Sequence, residues 1–210
     1  PPHIIIPGTM RTLFFAISLG FAPFAAAAPR PDVILITVDD LNVWIGCMGG
    51  HPNVKNQNID RLAANTIVCL LSDHGYHLGE KEISGKNTLW DTSTRIPLIL
   101  AGPGISKGMK NASAVELLDV YPTLASLAGV DVKAKLDGEA LPLDATLDPS
   151  RTAITCQGPY NQTIRTADKR YIRYMDGSEE LYDHSKDPFE HVNLAQDRAY
   201  AETKKTLRAM

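Results

Sequence analysis

The sequence predicts an α/β domain built on a mainly parallel sheet, followed by a small antiparallel sheet and a helix. Two unbroken apolar runs of strand length, the first of them β-branched, each end in aspartate, and helical patterns lie between and after the apolar runs. Past residue 149 the texture changes to short alternating or aromatic stretches separated by turn residues. Continuous rather than alternating apolarity marks strands covered on both faces, as in parallel sheets flanked by helices.

The first run, Asp32–Val38 (D-V-I-L-I-T-V), delivers Asp39 and Asp40 at its carboxyl end. A short helical pattern follows at 59–64, and then the second run, 66–71 (T-I-V-C-L-L), delivers Ser72, Asp73, His74 and Gly75. Ligands in open α/β sheets bind outside the carboxyl ends of the strands, so both runs aim at one crevice. A third run, 96–101, stops at the turn Gly102-Pro103-Gly104. Residues 114–127 carry a longer helical pattern that Pro122 either kinks or splits at Tyr121.

Beyond residue 149, the stretches 153–156, 163–165, 170–174 and 180–182 predict an antiparallel sheet, with Asp176-Gly177 as one of its turns. Residues 196–210 predict a helix packed on that sheet, with Glu202, Lys204 and Lys205 on its wet face. The expected organisation is therefore a leader over 1–28, an α/β domain over 29–149 and a C-terminal subdomain over 150–210.

The leader reading rests on Met10 and Arg11, an apolar run from Leu13 to Phe24, and Ala25 to Ala28. This is the layout of a secretory signal peptide cut after Ala27 or Ala28, with residues 1–9 upstream of the start. Gly20 and Pro23 leave the run too short and broken for a stable membrane span. An exported protein, periplasmic or extracellular, is the expectation.

A chain of 210 residues suits one ordinary core, and 44% hydrophobic with 21% charged residues excludes disordered, collagen-like and coiled-coil classes. Lys and Arg number 21 against 24 Asp and Glu, a net charge of -3, with no basic run to track a phosphate backbone. No nucleic acid partner is expected. Cys47, Cys69 and Cys156 form no CxxC pair and no disulfide framework. A Cys47–Cys69 bridge stays open as an alternative, with at least two free, semi-buried thiols expected.

Asp39, Asp40 and Asp73, brought to one crevice, would repel one another unless a cation joined them. Taken singly, each is a turn or cap aspartate; together they point to a divalent ion, with oxygen ligands favouring calcium or magnesium over zinc. His74 adds an imidazole that can ligate the ion or bond its anionic ligand, and Gly75 allows a sharp turn.

Four segments carry a family resemblance: V-D-D-L-N-V-W-I-G-C-M-G-G-H-P-N-V-K (38–55), N-I-D-R-L-A (58–63), S-D-H-G-Y-H-L-G-E-K (72–81) and G-K-N-T-L-W-D-T-S-T-R-I-P-L-I-L-A-G-P-G (85–104). They resemble the type I sulfatases, and most nearly the bacterial iduronate-2-sulfatase-like enzymes. I-R-T (164–166), R-Y-I-R-Y (170–174) and E-L-Y-D-H-S-K-D-P-F-E-H-V-N-L-A (180–195) resemble that family's C-terminal subdomain. The resemblance implies the alkaline-phosphatase-like sulfatase fold and calcium held by Asp39, Asp40, Asp73 and His74. It further implies that Lys86 contacts the sulfate, that formylglycine is the nucleophile, and that the substrate is a sulfated carbohydrate or other sulfate ester. Lys86 makes sense unaided as well, because a cation beside a metal-bound anion stabilises charge developing on ester oxygens.

The departure from the family is as informative as the match. Formylglycine is made from the Cys or Ser of C/S-x-P-x-R, and no Cys or Ser here begins that pattern. The nearest arrangement, Leu147-Asp148-Pro149-Ser150-Arg151, has leucine in the nucleophile's place. The family carries its nucleophile between the first helix and the S-D-H-G strand, where this chain runs directly through Ala64-Asn65. By comparison with the family a large internal segment is missing and the sheet is incomplete. The expectation is a sulfuric ester hydrolase by ancestry, without turnover by this chain. A calcium- or anion-binding remnant, a deletion artefact and a metal-dependent phosphodiesterase of the same superfamily are the alternatives. The Asp39-Asp40 pair and Lys86 favour the sulfatase side over the last.

Overall fold

The computed structural model describes residues 30–39, 65–143 and 148–210. The leader, Asp40, Cys47 and the helical pattern at 59–64 lie outside the described residues. In chain order the elements are β1 (Asp32–Val38), β2 (Thr66–Ser72), β3 (His77–Leu78), β4 (Ser84–Gly85), the short helix α1 (Asp91–Thr94), β5 (Leu98–Ala101) and α2 (Val120–Leu127). They continue with β6 (Ala153–Gln157), β7 (Asn161–Arg165), β8 (Lys169–Arg173), β9 (Glu179–Asp183) and α3 (Ala201–Ala209).

β1 and β2 pair in parallel from Asp32 opposite Thr66 to Val38 opposite Ser72. β5 completes the sheet in the order β1-β2-β5 but runs antiparallel to β2. The expected parallel character is thus confined, among the described residues, to one pair. The reason is the connection: the segment between β2 and β5 is spent on the β3–β4 hairpin and the four-residue α1, with no long crossover helix to carry the chain back. Gly102 ends β5 where the chain passes over β2. A Cβ there would lie 2.7 Å from the Thr66 carbonyl oxygen and 2.8 Å from Ile67 Cα, and φ is +142°, so only glycine fits.

β2 is buried along nearly its whole length, as its unbroken apolarity predicts. β1, equally apolar, is not: Val33, Ile34, Leu35 and Val38 are 39%, 37%, 51% and 37% exposed. Composition alone cannot separate the two, because burial here depends on neighbours. β2 lies between two strands, whereas β1 pairs only with β2 among the described residues.

The C-terminal sheet is an antiparallel meander, β6-β7-β8-β9. Period-two alternation gives it two buried faces. Ile164, Tyr171 and Leu181 pack with Ala195 and with Leu207 of α3, while Ile172 and Tyr182 pack with Leu89, flanked by Trp90 and Tyr174. The sheet is therefore clasped between α3 and the segment that enters α1. Asp197 caps the Arg198–Tyr200 turn leading into α3 by accepting from Ala199 N at 2.9 Å. Lys204 does not face water as its composition predicts. Its ammonium donates to Glu179 Oε2 at 3.1 Å and to the Ala195 carbonyl at 2.8 Å.

The helix predicted over 114–127 is shorter. Glu116 is extended and forms a capping box with Asp119, after which a 3-10 turn (Leu117–Asp119) leads into α2. Pro122 neither kinks nor splits it, because it sits in the first turn of α2, where amide donors need no intrahelical partner. Both described cysteines are free thiols, Cys69 buried in β2 and Cys156 exposed on β6, rather than semi-buried. No described helix is long and apolar enough to cross a membrane.

Charge joins the two halves of the chain. Arg170 on β8, 2% exposed, donates through Nε to Glu190 Oε1 at 2.6 Å and through Nη2 to Asp91 Oδ1 at 2.8 Å. Its Nη1 donates to the Leu89 carbonyl at 3.1 Å and to Thr163 Oγ1 at 3.3 Å. Glu190 Oε2 accepts from the Asp91 amide at 2.9 Å, and His184 Nε2 lies 2.8 Å from Glu190 Oε1. Burial pushes the Asp91 carboxyl upward, but Arg170, His184 and Arg165 outweigh it and hold the carboxyl below its usual range. Arg170→Ala should strand two buried carboxylates and cost about 3–5 kcal/mol. Urea unfolding of the variant measures this, and a midpoint equal to that of the parent chain would refute it.

The docking of α3 should depend on pH through Glu179. The Tyr171 hydroxyl first, then Lys204 and Arg208, hold this carboxyl below its usual range against the opposing effect of burial. A depressed carboxyl stabilises the fold fully above its unfolded value, about pH 4, and loses that contribution as pH falls through the folded value. Unfolding midpoints should therefore drop below about pH 4. Glu179→Gln should flatten the acid slope, and an unchanged slope would remove this carboxylate from the account.

Candidate metal centre

The parallel register of β1 and β2 builds the site. With Val38 opposite Ser72, the next residues of each strand, Asp39 and Asp73, emerge side by side, and His74 follows. His74 Nε2 lies 3.1 Å from Asp73 Oδ2 and 3.4 Å from Asp39 Oδ1. One ligand atom from each of Asp39, Asp73 and His74 falls within 4.8 Å of the others. Lys86 Nζ stands 3.5 Å from Asp39 Oδ1. Three of the four residues expected to hold metal are thus brought together beside the expected sulfate-contacting lysine, and the fourth, Asp40, lies outside the described residues.

The ring of His74 is oriented by its neighbours. Nδ1 is 2.9 Å from the Gly75 carbonyl, which can only accept, so Nδ1 carries a proton. Nε2 faces two carboxylates, an arrangement that either a proton on Nε2 or a cation shared by the three groups satisfies. A divalent cation shared by the three groups would answer both carboxylates and the ring nitrogen, and a backbone carbonyl holding the far ring nitrogen is how metal-ligating histidines are oriented. The donor set therefore fits a divalent ion, with the site open to solvent on the Asp39 side.

Gly75 is needed for a different reason from the turn that the sequence predicts. Its φ is not in the left-handed region. Instead α1 passes so close that a Cβ would lie 2.0 Å from the Thr92 carbonyl oxygen, and the Gly75 amide donates to the Ser93 carbonyl at 2.8 Å. Ser72 adds a hydroxyl bond to the His74 carbonyl at 2.8 Å. The loop bearing Asp73 and His74 is therefore stitched to α1.

His77, which sequence reasoning leaves unassigned, is fully buried behind the site. Its Nδ1 lies 3.2 Å from the Glu80 carbonyl and its Nε2 2.8 Å from Thr88 Oγ1, itself 2.8 Å from Ser93 Oγ. The Thr88 amide donates back to the Lys86 carbonyl at 3.0 Å. One buried imidazole thus spans the hairpin that precedes Lys86 and the turn that follows it. A single histidine in a polar stretch carries no periodic signal, so only its contacts reveal this.

Two other groups could be mistaken for chemistry. Asp91, His184 and Glu190 also place ligand atoms within 4.8 Å of one another, but Arg170 occupies the space between the two carboxylates. Burial pushes the Cys69 thiol up to about 11, far from the thiolate that a nucleophile needs.

Residues 57–130 match the family model described as Sulfatase. A sulfatase of Formosa agariphila is 39% identical over 151 residues, covering 70% of this chain and 30% of its own length. The Delta 4,5-hexuronate-2-O-sulfatase of Bacteroides thetaiotaomicron is 32% identical over 165 residues, covering 70% of this chain and 34% of its own. A solved structure of BT4656 with its substrate D-glucosamine-2-N,6-O-disulfate superposes with a TM-score of 0.60 at 28% identity, over 73% of this chain and 34% of that one. The chain spans about a third of the length of the relatives it matches. Over the segments it shares with them, in sequence and in its alkaline-phosphatase-like fold, this chain belongs to the sulfatase family.

Proposed function

We propose that this chain is an incomplete sulfatase domain that binds a divalent cation and the sulfate group of a sulfated saccharide without formylglycine-dependent turnover. The observation that carries the reading is the meeting of Asp39, Asp73 and His74 at two strand ends with Lys86 beside them. In this reading calcium is the ion, Asp40 joins the three described ligands, and Lys86 receives sulfate oxygens. A sulfated carbohydrate is favoured because two of the similar proteins act on one: a hexuronate 2-O-sulfate and a glucosamine disulfate. An iduronate-2-sulfatase-like ancestry, loss of the segment between Ala64 and Asn65, and export through residues 1–28 belong to the same proposal.

Electrostatics supports the pairing of cation and anion. A cation on the Asp39 carboxylate competes with Lys86 for it, and the Lys86 ammonium, 3.5 Å from Asp39 Oδ1, stands where it can also attract an oxyanion. Calcium takes six to eight oxygens, so two or three carboxylates and an imidazole leave its shell open to sulfate and water. Each ligand should accordingly strengthen the other by the same factor.

Calorimetry should record a weak calcium heat that Asp39→Ala and Asp73→Ala each abolish. Heat that survives both substitutions would remove the metal assignment.

Chemistry limits the same site. No residue can become the aldehyde hydrate that attacks sulfur, and activated water lacks positioning groups. Purified chain with calcium and an aryl sulfate should hydrolyse no faster than buffer, and Lys86→Ala should change nothing. Sustained turnover that Lys86→Ala or Asp73→Ala abolishes would reveal a nucleophile other than formylglycine and overturn the non-catalytic reading.

A further inference from the structure

Lys86 belongs to no strand or helix. It follows β4 and opens a three-residue turn, closed by the Thr88 amide on the Lys86 carbonyl at 3.0 Å. The direction of its side chain therefore depends on what fixes the residues before and after it, and His77 fixes both. The backbone of His77 pairs with Gly85, immediately before Lys86, in the β3–β4 ladder. Its Nε2 lies 2.8 Å from the hydroxyl of Thr88, two residues after Lys86. The same hydroxyl is 2.8 Å from Ser93 Oγ, and the Ser93 carbonyl accepts the Gly75 amide at 2.8 Å. Gly75 in turn offers its carbonyl to His74 Nδ1. From one ring, one path thus leads to Lys86 and another to His74. The ring itself is held by the Glu80 carbonyl, 3.2 Å from Nδ1, and stands edge-on to Trp90 with centroids 6.1 Å apart. It is fully buried, so water cannot take over a contact that it loses.

We propose that His77 is a positioning residue for the anion side of the site. Through Thr88 it fixes the reach of Lys86, and through Ser93 and Gly75 it fixes the separation of Lys86 from His74. The inference rests on the reading of Lys86 as the sulfate contact. Asp39 and Asp73 are placed by the β1–β2 register, which does not pass through His77. Loss of the bond from Nε2 to Thr88 should therefore weaken anion binding far more than calcium binding, by about tenfold against less than about twofold, the first being the worth of one buried hydrogen bond.

Two substitutions separate the two ring nitrogens. Asparagine places its amide nitrogen where Nδ1 stands and loses the bond to Thr88, whereas glutamine reaches the place of Nε2 and keeps it. Amide hydrogen exchange on the full chain without ligands reads positioning directly. His77→Asn should speed exchange about tenfold at the Thr88 and Gly75 amides and leave β8 at the parent rate, while His77→Gln should match the parent at all of them. Calorimetry should then show His77→Asn weakening D-glucosamine-2-N,6-O-disulfate, added with calcium in excess, with calcium heat nearly unchanged and His77→Gln near the parent. Equal exchange in the two variants, acceleration that spreads evenly to β8, or disulfate binding weakened no more than calcium binding would overturn the proposal. A parent chain that binds neither calcium nor the disulfate would instead overturn the sulfate reading of Lys86, and the exchange pattern would still decide whether His77 places Lys86 and His74.

Discussion

The guanidinium of Arg170 is the constraint on which the rest of this structure hangs. It is nearly inaccessible to water, and a buried cation is tolerated only where carboxylates and carbonyls replace its hydration. Those partners come from separate parts of the chain: Asp91 and the Leu89 carbonyl from the entry to α1, Glu190 from the loop after β9, and Thr163 from β7. Removing any one partner leaves a charge or donor unanswered, so the arrangement fixes the C-terminal sheet against α1 alongside the apolar packing of Leu89 on Ile172 and Tyr182. Glu190 accepts a positive φ of 59°, uncommon for a residue other than glycine, to reach its place.

That constraint propagates to the candidate metal centre through covalent neighbours and short hydrogen bonds. Asp91 opens α1, Ser93 in α1 receives the Gly75 amide, and Gly75 in turn receives His74 Nδ1 on its carbonyl. The aim of His74 Nε2 at Asp39 and Asp73 is thus set from behind by a network that touches no ligand atom itself. On the other side, His77 and Thr88 hold the turn that carries Lys86. The C-terminal sheet, which contributes none of the proposed metal ligands, acts as the buttress of the loop that does.

The strand ends retain a coherent binding geometry while the nucleophile motif has no counterpart in the chain. This division has a physical basis. Asp39 and Asp73 are placed by the β1–β2 register and His74 by its contact with the loop stitched to α1, all contained in the described residues, whereas a nucleophile aligned with them would need its own supporting segment. On the proposed reading, binding and turnover are separable in this fold, because ligands at the strand ends can hold a cation and an anion without the nucleophile.

Sequence by itself determined the elements whose signal is local. β1 and β2 are legible because each is an unbroken apolar run of strand length, β-branched for most of β1 and at the start of β2, and the aspartates that follow them announce the candidate site. The four C-terminal strands show the period of two and their turn residues, and the missing C/S-x-P-x-R pattern is a fact of sequence alone. Tertiary structure decided what depends on partners distant along the chain. It left β1 exposed and β2 buried although both read alike, reversed β5, turned Lys204 inward to Glu179, and made Gly75 a point of close approach. It also assembled Arg170 with Asp91 and Glu190, residues 79 and 20 positions away. Periodicity reports how one segment meets water or a core. Which segment supplies that core, or answers a buried charge, is settled only when the chain closes on itself.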